Sequence, residues 1–448
     1  MSERFDAVVL GMGPGGEVTA SRLIAGGKTV AVVEKELIGG ECSYWACIPS
    51  KTLLRPPEAR SEARRAAGTG TPTLTLEEVF DYRDYMIRHL DDSKQVVGYE
   101  KQGATVVKGE GCIVSPGKVR ANGETLEADH VIVATGSAPN IPPIEGLEDI
   151  TVWTNREVTT SREVPSRAVV VGGGPTGIEA SQWLSRFGTE VTIVQSPDRL
   201  IDREDPRVSE LIKAALEEEG IDVRLGQKVA KAHKDGEGAI VTLDDGTEVA
   251  TDVVVIAAGR RPRTEGIALE SVGVEPDGKG LPIDEYCRLA EGVWALGDVT
   301  GVMLFTHVAK YQARVVADNI LGKTRRADYC GIPRVVFSDP EIAAAGLTEA
   351  QARKQGIEVA TATVDLARAI ARPWTYEEDP RGHLGLVADR DRRVLVGAWA
   401  VAPQAGEWIH QASQAIRAEI PTEKLRDMVA QFPTYSEAYL NALEQLDI

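Results

Sequence analysis

The sequence predicts an α/β fold that contains two copies of a strand–helix–strand unit. With 448 residues, the chain is long enough for about three domains with an ample core. Short β-branched segments lead into glycine-rich turns and then helical segments over Ala7–Ala25, and again over Ala168–Phe187. Alternating strands and helices of this kind are typical of sheets that are covered by helices.

Composition and charge restrict the classes of partner. The 43% hydrophobic and 26% charged content is ordinary for a soluble protein, and no apolar run is long enough to span a bilayer, so we expect no membrane partner. A formal net charge of -18 would repel phosphates, so we expect no nucleic-acid partner. The first strand begins almost at once and leaves no room for an export segment, which predicts a cytoplasmic location.

The first strand–turn–helix segment carries a dinucleotide-binding signature. A glycine-rich turn follows the strand directly, and about 20 residues later a second strand ends at the acid Glu34. One glycine permits the tight turn, one lets the backbone approach a pyrophosphate and one allows close helix packing; these are Gly11, Gly13 and Gly16. The carboxylate of Glu34 suits a ribose hydroxyl, and a glycine pattern in this context is a specific signal.

A second copy of the signature has its glycines at Gly172, Gly174 and Gly177, so we expect two bound nucleotides. Here the second strand ends at Gln195 instead of an acid. A carboxylate would repel a 2′-phosphate, whereas an amide excludes neither NADH nor NADPH. Two arginines close behind favour NADPH slightly, namely Arg199 and Arg203.

Two cysteines, Cys42 and Cys47, are separated by four residues and lie just downstream of the first signature. A spaced pair beside a cofactor site favours redox chemistry over packing. Such chemistry needs a thiolate, so we expect the pair in an electropositive, partly open place such as the start of a helix. We interpret the other cysteines as buried small apolar residues: Cys112, Cys287 and Cys330.

Several further segments accompany the two glycine turns: Cys42–Lys51, Ala134–Ser137, Ala257–Arg260, Leu296–Val299 and Phe337–Glu341. Through these segments, over nearly its whole length, the chain resembles the class I pyridine nucleotide-disulfide oxidoreductases, above all the members that act on dihydrolipoamide, glutathione or mercuric ion. This resemblance implies FAD, NAD(P)H and a redox-active disulfide, in a homodimer whose C-terminal segment completes the partner's active site.

The resemblance assigns the cofactor contacts. It places FAD on the first glycine turn with Glu34, and the nicotinamide nucleotide on the second turn with Gln195. Asp298 would hold the ribityl or pyrophosphate region of the flavin nucleotide. Further cofactor contacts fall on Thr135, Gly136 and Gly259.

The resemblance also assigns the redox residues. Cys42 matches the interchange thiol that meets the acceptor, and Cys47 matches the thiol that contacts the flavin. Lys51 and Glu179 match an ion pair beside the flavin, where a fixed positive charge favours the reduced, anionic ring. No metal site is assigned.

The implied architecture has two Rossmann-like dinucleotide-binding domains and a C-terminal α+β dimerisation domain. We predict an FAD-binding domain at 1–150 and 278–328, an NAD(P)-binding domain at 151–277 and an interface domain at 329–448. The βα patterning supports the first two domains directly, whereas the homodimer rests on the resemblance alone.

The chain departs from the family at its proton-transfer group. Disulfide-reducing members have a histidine where this chain has Phe432, whereas their glutamate is retained as Glu437. Phenylalanine cannot take a proton, so acid–base catalysis by the usual route is absent. The nearest histidine, His410, is interpreted as a packed helical residue. Tyr435 and Tyr439 could donate protons, but a tyrosine pKa of about 10 makes them poor bases.

Two further departures concern the acceptor. Mercury-reducing members also have an aromatic residue at the histidine position, but they carry C-terminal vicinal cysteines that Glu444–Ile448 lacks, so the sequence disfavours mercury reduction. Between the cysteines, Tyr44 and Trp45 are bulkier than the usual residues. Two interpretations stay open for them: they line a flat pocket, or they pack against the neighbouring helix.

Three functions follow from these features. The first is an NAD(P)H-dependent flavoprotein that passes electrons to a small-molecule acceptor such as a quinone or metal ion. The second is a disulfide reductase similar to dihydrolipoamide dehydrogenase, with protonation supplied by another group or by water. The third is a non-catalytic flavin-binding partner protein, against which the intact Cys42, Cys47, Lys51 and Glu179 argue. Phe432 favours the first function over the second.

Overall fold

A computed structural model describes residues 3–448. Its strands, β1 to β23 in chain order, are Glu3–Leu10, Val30–Glu34, Thr105–Lys108, Gly111–Ser115, Lys118–Ala121, Glu124–Val133, Ser137–Pro139, Val152–Trp153, Arg167–Val171, Glu190–Gln195, Asp222–Leu225, Val229–Asp235, Gly238–Leu243, Glu248–Thr251, Val253–Ile256, Arg260–Pro262, Arg288–Ala290, Val293–Ala295, Pro333–Val336, Glu341–Gly346, Val359–Asp365, His383–Asp389 and Val394–Ala402.

The α-helices, α1 to α15 in chain order, are Pro14–Ala25, Gly40–Tyr44, Cys47–Arg65, Leu76–Met86, Ser93–Lys101, Asn155–Thr160, Pro175–Phe187, Pro206–Glu218, Thr306–Ile320, Glu349–Lys354, Leu366–Ala369, Ala405–Trp408, His410–Arg417, Thr422–Arg426 and Ala438–Glu444. None of these helices, within residues 3–448, combines the length and the apolar character that a bilayer crossing requires.

The chain forms two compact units. The first comprises the chain through Ser50, Asp81–Asn140 and Gly259–Asp328, and the second comprises Lys51–Phe80, Ile141–Ala258 and Tyr329–Ile448. The finer division into three domains stays a prediction.

The first unit is built on an eight-stranded sheet whose parallel core has the order β18-β6-β1-β2-β3. Successive residues of β1 face opposite sides of this sheet: Val8 and Leu10 join one hydrophobic cluster, and Ala7 and Val9 join another. Because both faces are covered, the second half of the strand, Ala7–Leu10, is apolar throughout, as is usual in parallel sheets.

The second unit also contains a parallel sheet, and it has an antiparallel sheet in addition. A parallel sheet has the order β11-β10-β9-β15-β8 and is followed along the chain by an antiparallel sheet with the order β19-β20-β23-β22-β21. The second sheet packs against α12, α13 and α15 through one alanine- and leucine-rich core. The α/β fold class with a C-terminal α+β region is confirmed.

The predicted elements around the glycine turns are confirmed with small shifts at their ends. The first helix begins at Pro14, because proline lacks an amide hydrogen and already has the backbone angle of a first helical residue. In the second copy, α7 begins at Pro175 for the same reason.

Candidate functional site

The first glycine turn is shaped by close backbone packing. Gly11 has a left-handed φ of 98°, and a Cβ at this position would overlap the carbonyl oxygen of Ala134. A Cβ at Gly16 would overlap the carbonyl oxygen of Gly11. At Gly13, in contrast, no atom lies within 4 Å of a Cβ position, so the turn is open at the start of α1. This open backbone at a helix N-terminus fits the pyrophosphate of a dinucleotide.

Glu34, at the end of β2, closes this turn. Its Oε2 accepts a hydrogen bond of 2.7 Å from the amide of Met12, and its Oε1 accepts one of 2.7 Å from the amide of Glu36. Burial raises the pKa of the Glu34 carboxyl, and these two hydrogen bonds oppose that rise. The acid therefore holds the turn through two backbone amides.

The second glycine turn has the same construction. Gly172 has a φ of 113°, and a Cβ at Gly177 would overlap the carbonyl oxygen of Gly172. At Gly174 no atom lies within 4 Å of a Cβ position. Gln195 replaces the acid: its Oε1 accepts a hydrogen bond of 2.7 Å from the amide of Gly173, and its Nε2 donates to the carbonyl oxygen of Arg199 at 3.1 Å. Both ends of this buried amide thus have protein partners.

Cys42 and Cys47 are free thiols on two consecutive helices. Cys42 lies in α2, and Cys47 is the first residue of α3, as expected for a reactive thiol. The Sγ atom of Cys47 lies 3.4 Å from Oγ1 of Thr306, which is the first residue of α9. A hydrogen bond with Cys47 and burial raise the pKa of Cys42, whereas Thr306 and the positive charge of Lys310 oppose the rise.

Of the two aromatic residues between the cysteines, Tyr44 packs inside the protein. It is fully buried, its hydroxyl donates to the carbonyl oxygen of Ile38 at 3.1 Å, and it accepts a hydrogen bond of 3.2 Å from Arg88. For Tyr44 the packing interpretation is therefore the correct one. Trp45 is partly buried and lies 5.7 Å from the Tyr44 ring, so both interpretations remain open for it.

Lys51 and Glu179 form the expected ion pair. The Nζ atom of Lys51 lies 2.7 Å from Oε2 and 3.0 Å from Oε1 of Glu179, whose side chain is 6% exposed. Oε1 of Glu179 also accepts a hydrogen bond of 3.0 Å from the backbone amide of Phe337. A buried carboxylate is therefore held by an ammonium group and a backbone donor together.

Asp298 lies in a hydrogen-bonded chain that the sequence did not reveal. The Ser137 hydroxyl donates to Oδ2 of Asp298 at 2.6 Å and accepts from Nε of Arg260 at 2.7 Å. Burial raises the pKa of the Asp298 carboxyl, and the bond from Ser137 opposes this. Arg260 also lies 3.4 Å from Glu41, the residue before Cys42. Ser137 and Arg260 stand in the family motifs, but no local pattern points to Glu41.

The remaining motif residues lie around the same segments. The hydroxyl of Thr135 donates to the carbonyl oxygen of Arg263 at 2.7 Å, and Arg263 itself contacts Glu41 at 3.1 Å. Gly136 and Gly259 both have left-handed φ angles, of 73° and 98°. These residues all belong to the first compact unit, together with the thiol pair.

The C-terminal segment differs in accessibility from residue to residue. Phe432 is 63% exposed, whereas Tyr435 and Tyr439 are buried. Burial raises the pKa of both tyrosines, so their hydroxyls keep their protons and are poor bases. Oε2 of Glu437 is buried and makes no hydrogen bond within residues 3–448.

Several sequence interpretations outside the site are wrong. His410 is exposed at the start of α13 and is not a packed helical residue. Among the other cysteines only Cys287 is buried as expected, since Cys330 is exposed and Cys112 is partly exposed. Cys112 and Cys330 each lie 3.8 Å from an arginine nitrogen, which an interpretation based on apolar packing does not foresee.

Residues 5–313 match the family described as pyridine nucleotide-disulphide oxidoreductase, and residues 332–443 match the dimerisation domain of that family. The chain is 32% identical to the mercuric reductase of Staphylococcus aureus over 443 residues, which cover 97% of this chain and 81% of that protein. It is 35% identical to the dihydrolipoyl dehydrogenase of Thermus scotoductus over 458 residues, which cover 99% of this chain and 97% of that protein.

Among solved structures, the HOCl-induced flavoprotein disulfide reductase RclA from Escherichia coli superposes with a TM-score of 0.88 at 26% identity, covering 98% of this chain and 99% of that chain. RclA has also been solved as a Cu(II) complex. Two family domains along one chain, relatives above 30% identity and a matching fold agree with one another. The chain therefore belongs to the pyridine nucleotide-disulfide oxidoreductases, a family of FAD- and NAD(P)H-dependent flavoenzymes.

Proposed function

We propose that this enzyme passes electrons from NAD(P)H to a small oxidant, such as a quinone or a metal ion, and that its Cys42–Cys47 pair cycles between disulfide and dithiol. We also propose that it works as a homodimer through residues 329–448, with FAD bound by 1–150 and 278–328 and the nicotinamide nucleotide bound by 151–277. The dimerisation domain supports the homodimer.

The proposed cycle balances two electrons in each half. FAD, when bound, supplies the two-electron transfer between the nicotinamide nucleotide and the thiols of the protein. In the first half, the bond between Cys42 Sγ and Cys47 Sγ breaks, and the two sulfur atoms take up two electrons and two protons. NAD(P)H supplies both electrons and one proton, and solvent supplies the other proton. In the second half, the acceptor takes the two electrons, the two protons leave the thiols and the disulfide forms again.

The environment of the thiols supports distinct roles for them. A hydrogen bond with Cys47 and burial raise the pKa of the Cys42 thiol. Cys47 begins α3 and lies 3.4 Å from the Thr306 hydroxyl, which can donate to a thiolate. We therefore assign the thiolate on the cofactor side to Cys47 and exchange with the acceptor to Cys42.

The cofactor roles follow the two glycine turns. We assign the FAD pyrophosphate to Gly11, Gly13 and Gly16 and its adenosine ribose to Glu34, and the nicotinamide nucleotide to Gly172, Gly174, Gly177 and Gln195. Asp298 is assigned to the ribityl or pyrophosphate region, with Thr135, Gly136 and Gly259 as further contacts. Lys51 and Glu179 are assigned the family's flavin ion pair, which their contact at 2.7 Å supports.

The choice of acceptor rests on two residues of the C-terminal segment, Phe432 and Glu437. Phe432 is exposed and has no proton to exchange, while Oε2 of Glu437 is buried without a hydrogen bond in residues 3–448. The carboxylate that would orient a histidine is thus retained without the histidine. An acceptor that needs electrons but no general base fits this arrangement better than a dithiol does.

A second candidate function is oxidation of a dihydrolipoamide-like dithiol, which the 35% identity to a dihydrolipoyl dehydrogenase favours. A metal-ion acceptor has comparable support from the mercuric reductase relative and from the Cu(II) complex of RclA. Steady-state rates with a quinone, with Cu(II) and with dihydrolipoamide, measured side by side, distinguish these acceptors. Efficient dithiol oxidation by the wild-type enzyme would overturn our choice and establish the dihydrolipoamide dehydrogenase reaction.

Phe432→His tests the missing base directly. A positioned general base is worth about a hundredfold to ten-thousandfold in rate. With Glu437 available to orient the ring, the variant should raise dithiol turnover and leave quinone turnover nearly unchanged. Phe432→Leu is the matched control, since it removes the ring without supplying a base. An equal gain in both variants would mean that bulk at this position, and not proton transfer, limits the dithiol reaction.

The thiol assignment has its own spectroscopic test. Partial reduction should produce a long-wavelength absorbance band that reports a thiolate beside oxidised FAD. We expect Cys47→Ser to lose the band and Cys42→Ser to retain it. A band that persists in Cys47→Ser would show that the two roles are reversed or that neither thiol meets the flavin.

A further inference from the structure

We propose that Asp339, in the loop between β19 and β20, is a positioning residue for the Lys51–Glu179 ion pair. The inference rests on the proposed function, because it takes this pair as the fixed charge beside the flavin. All the residues concerned lie in the second compact unit. Asp339 contacts neither member of the pair in the structure, so it would act through the two helices that carry them.

The Asp339 carboxylate joins those two helices through two arginines. Arg65, at the end of α3, makes two parallel hydrogen bonds of 2.9 Å to Oδ1 and Oδ2 of Asp339. Arg186, near the end of α7, donates to Oδ2 at 2.8 Å. Lys51 lies on α3 and Glu179 on α7, so one carboxylate connects the two helices that supply the ion pair.

The backbone of the same loop is fixed along α7. The Asp339 amide donates to Oε1 of Gln182 at 2.8 Å, and Nε2 of Gln182 donates to the Asp339 carbonyl oxygen at 2.8 Å. Two residues earlier in the loop, the Phe337 amide donates to Glu179, which lies one helical turn before Gln182. The loop is thus matched to α7 at two successive turns.

The loop also contacts the lysine. Nζ of Lys51 lies 4.7 Å from the centre of the Phe337 ring, within the range of a cation–π interaction. Phe337 therefore contacts both members of the ion pair, and Asp339 anchors the loop that presents it.

Charge explains why the anchor would matter. The Asp339 side chain is 10% exposed and that of Arg186 is 11% exposed, so their attraction is poorly screened by water. Asp339→Asn would leave two guanidinium groups facing each other without the carboxylate between them. Glu377 on Arg65 and Glu219 on Arg186 would remain as outer partners. Repulsion should then separate the ends of α3 and α7 and loosen the contact between Lys51 and Glu179.

The first test does not depend on activity. The acetylation rate of Lys51 in the purified full-length protein, measured by peptide mass spectrometry, reports how well Glu179 holds its ammonium group. Lys213 is the internal control, because its side chain is equally exposed at 35% and is paired with Glu217. We expect Lys51 to be acetylated faster in Asp339→Asn than in the wild type, and Lys213 to be acetylated at the same rate in both. Equal rates at Lys51 in the wild type and the variant would overturn the inference.

The second test measures the midpoint potential of the bound flavin. Lys51→Met should shift the potential to more negative values, and Asp339→Asn should give a smaller shift in the same direction. Glu204→Gln is the matched control, since it breaks a similarly buried pair with Arg334 in the same unit and should leave the potential unchanged. If Asp339→Asn does not fold, Arg65→Gln decides in its place.

The outcomes separate the two proposals. No shift in Lys51→Met would contradict the proposed role of the ion pair at the flavin. A shift in Lys51→Met with none in Asp339→Asn or Arg65→Gln would contradict only the role of Asp339. A shift in Glu204→Gln equal to that in Asp339→Asn would also overturn the inference, because it would mark a general effect of losing a buried ion pair.

Discussion

The two glycine turns, Gly11–Gly16 and Gly172–Gly177, share one backbone geometry but are closed by different side chains. In the first, Glu34 accepts two backbone amides, from Met12 and Glu36. In the second, Gln195 accepts one amide and donates to a carbonyl oxygen. In both turns, one side-chain oxygen at the end of the second strand accepts a hydrogen bond from a backbone amide of the turn. The second polar atom of that side chain accepts from an amide in the first turn and donates to a carbonyl oxygen in the second.

This difference separates structure from nucleotide recognition. An acid is suited to the first turn because both of its oxygens meet N–H groups, and an amide is suited to the second because one of its atoms meets a C=O group. The missing acid in the second turn therefore has a structural explanation that is independent of any 2′-phosphate. Four predictions test how far the two turns are equivalent.

The largest effect should come from adding a methyl group where the backbones touch. Gly16→Ala and Gly177→Ala place a Cβ on a carbonyl oxygen, so each should cost at least about 2 kcal/mol of unfolding free energy. Gly16→Ala should also lose FAD, and Gly177→Ala should keep FAD but lose nicotinamide binding. Urea unfolding, flavin absorbance and NADH titration check these outcomes.

Gly13→Ala and Gly174→Ala are the matched controls, since neither Cβ would meet a protein atom within 4 Å. Both should fold with near-wild-type stability and bind their nucleotides more weakly. If these controls unfold as readily as Gly16→Ala and Gly177→Ala, close backbone packing is not the reason for the glycines.

Exchanging the two closing residues should have the next largest effect. Glu34→Gln turns an amide donor toward the Glu36 amide, and Gln195→Glu turns a carboxylate oxygen toward the Arg199 carbonyl oxygen. Each leaves a partly buried backbone group without its hydrogen bond, and the cost should approach the value of about 1–3 kcal/mol for a fully buried group. Denaturant unfolding of both variants measures the cost. No loss in either variant would show that the two closing residues are interchangeable.

The second turn can also be tested by the use of NADH and NADPH. Because Gln195 carries no negative charge, we expect measurable activity with both NADH and NADPH, with NADPH slightly favoured, and we expect Gln195→Glu to depress NADPH use selectively. Steady-state kcat/KM for both nucleotides provides the check. A wild-type preference for NADH above roughly a thousandfold, about 4 kcal/mol, would show that discrimination arises elsewhere.

The smallest effect concerns pH. Burial raises the pKa of Glu34 above its ordinary value of 4.5, so the folded state holds this proton more tightly than the unfolded chain does. The contribution of Glu34 to stability is fully present below pH 4.5 and is lost as the pH rises through its folded pKa. The stability of Glu34→Gln relative to wild type should therefore improve as the pH is raised from 4.5. Urea midpoints across this range give the sign, and an opposite trend would contradict it.

Much of the fold could be predicted because its signals are local. Strand, glycine turn, helix and closing residue follow one another within a short stretch at Gly11–Glu34 and at Gly172–Gln195, so periodicity and turn chemistry suffice. Cys42 and Cys47 are likewise close in sequence. The need for a thiolate predicts the pair at a place such as a helix start, and Cys47 lies at one whereas Cys42 lies within α2.

The misjudged residues depended on neighbours far along the chain. Cysteine is usually a buried residue, which predicts a buried Cys330, but the fold leaves Cys330 exposed. The exposure of His410 and the burial of Tyr44 were decided in the same way, by which elements cover each residue. Composition and the spacing of residues do not show which distant elements pack over a given residue.

The sequence by itself determined the α/β class, the two nucleotide signatures, the thiol pair and the presence of a phenylalanine, Phe432, before Pro433. Only the tertiary structure decided the contacts between distant segments: Glu41 with Arg263, 222 residues away, and Arg65 with Asp339, 274 residues away. The physical reason is that a hydrogen bond or an ion pair depends on distance in space. Backbone patterns set only the spacing of near neighbours, and packing of the finished core brings the distant partners together.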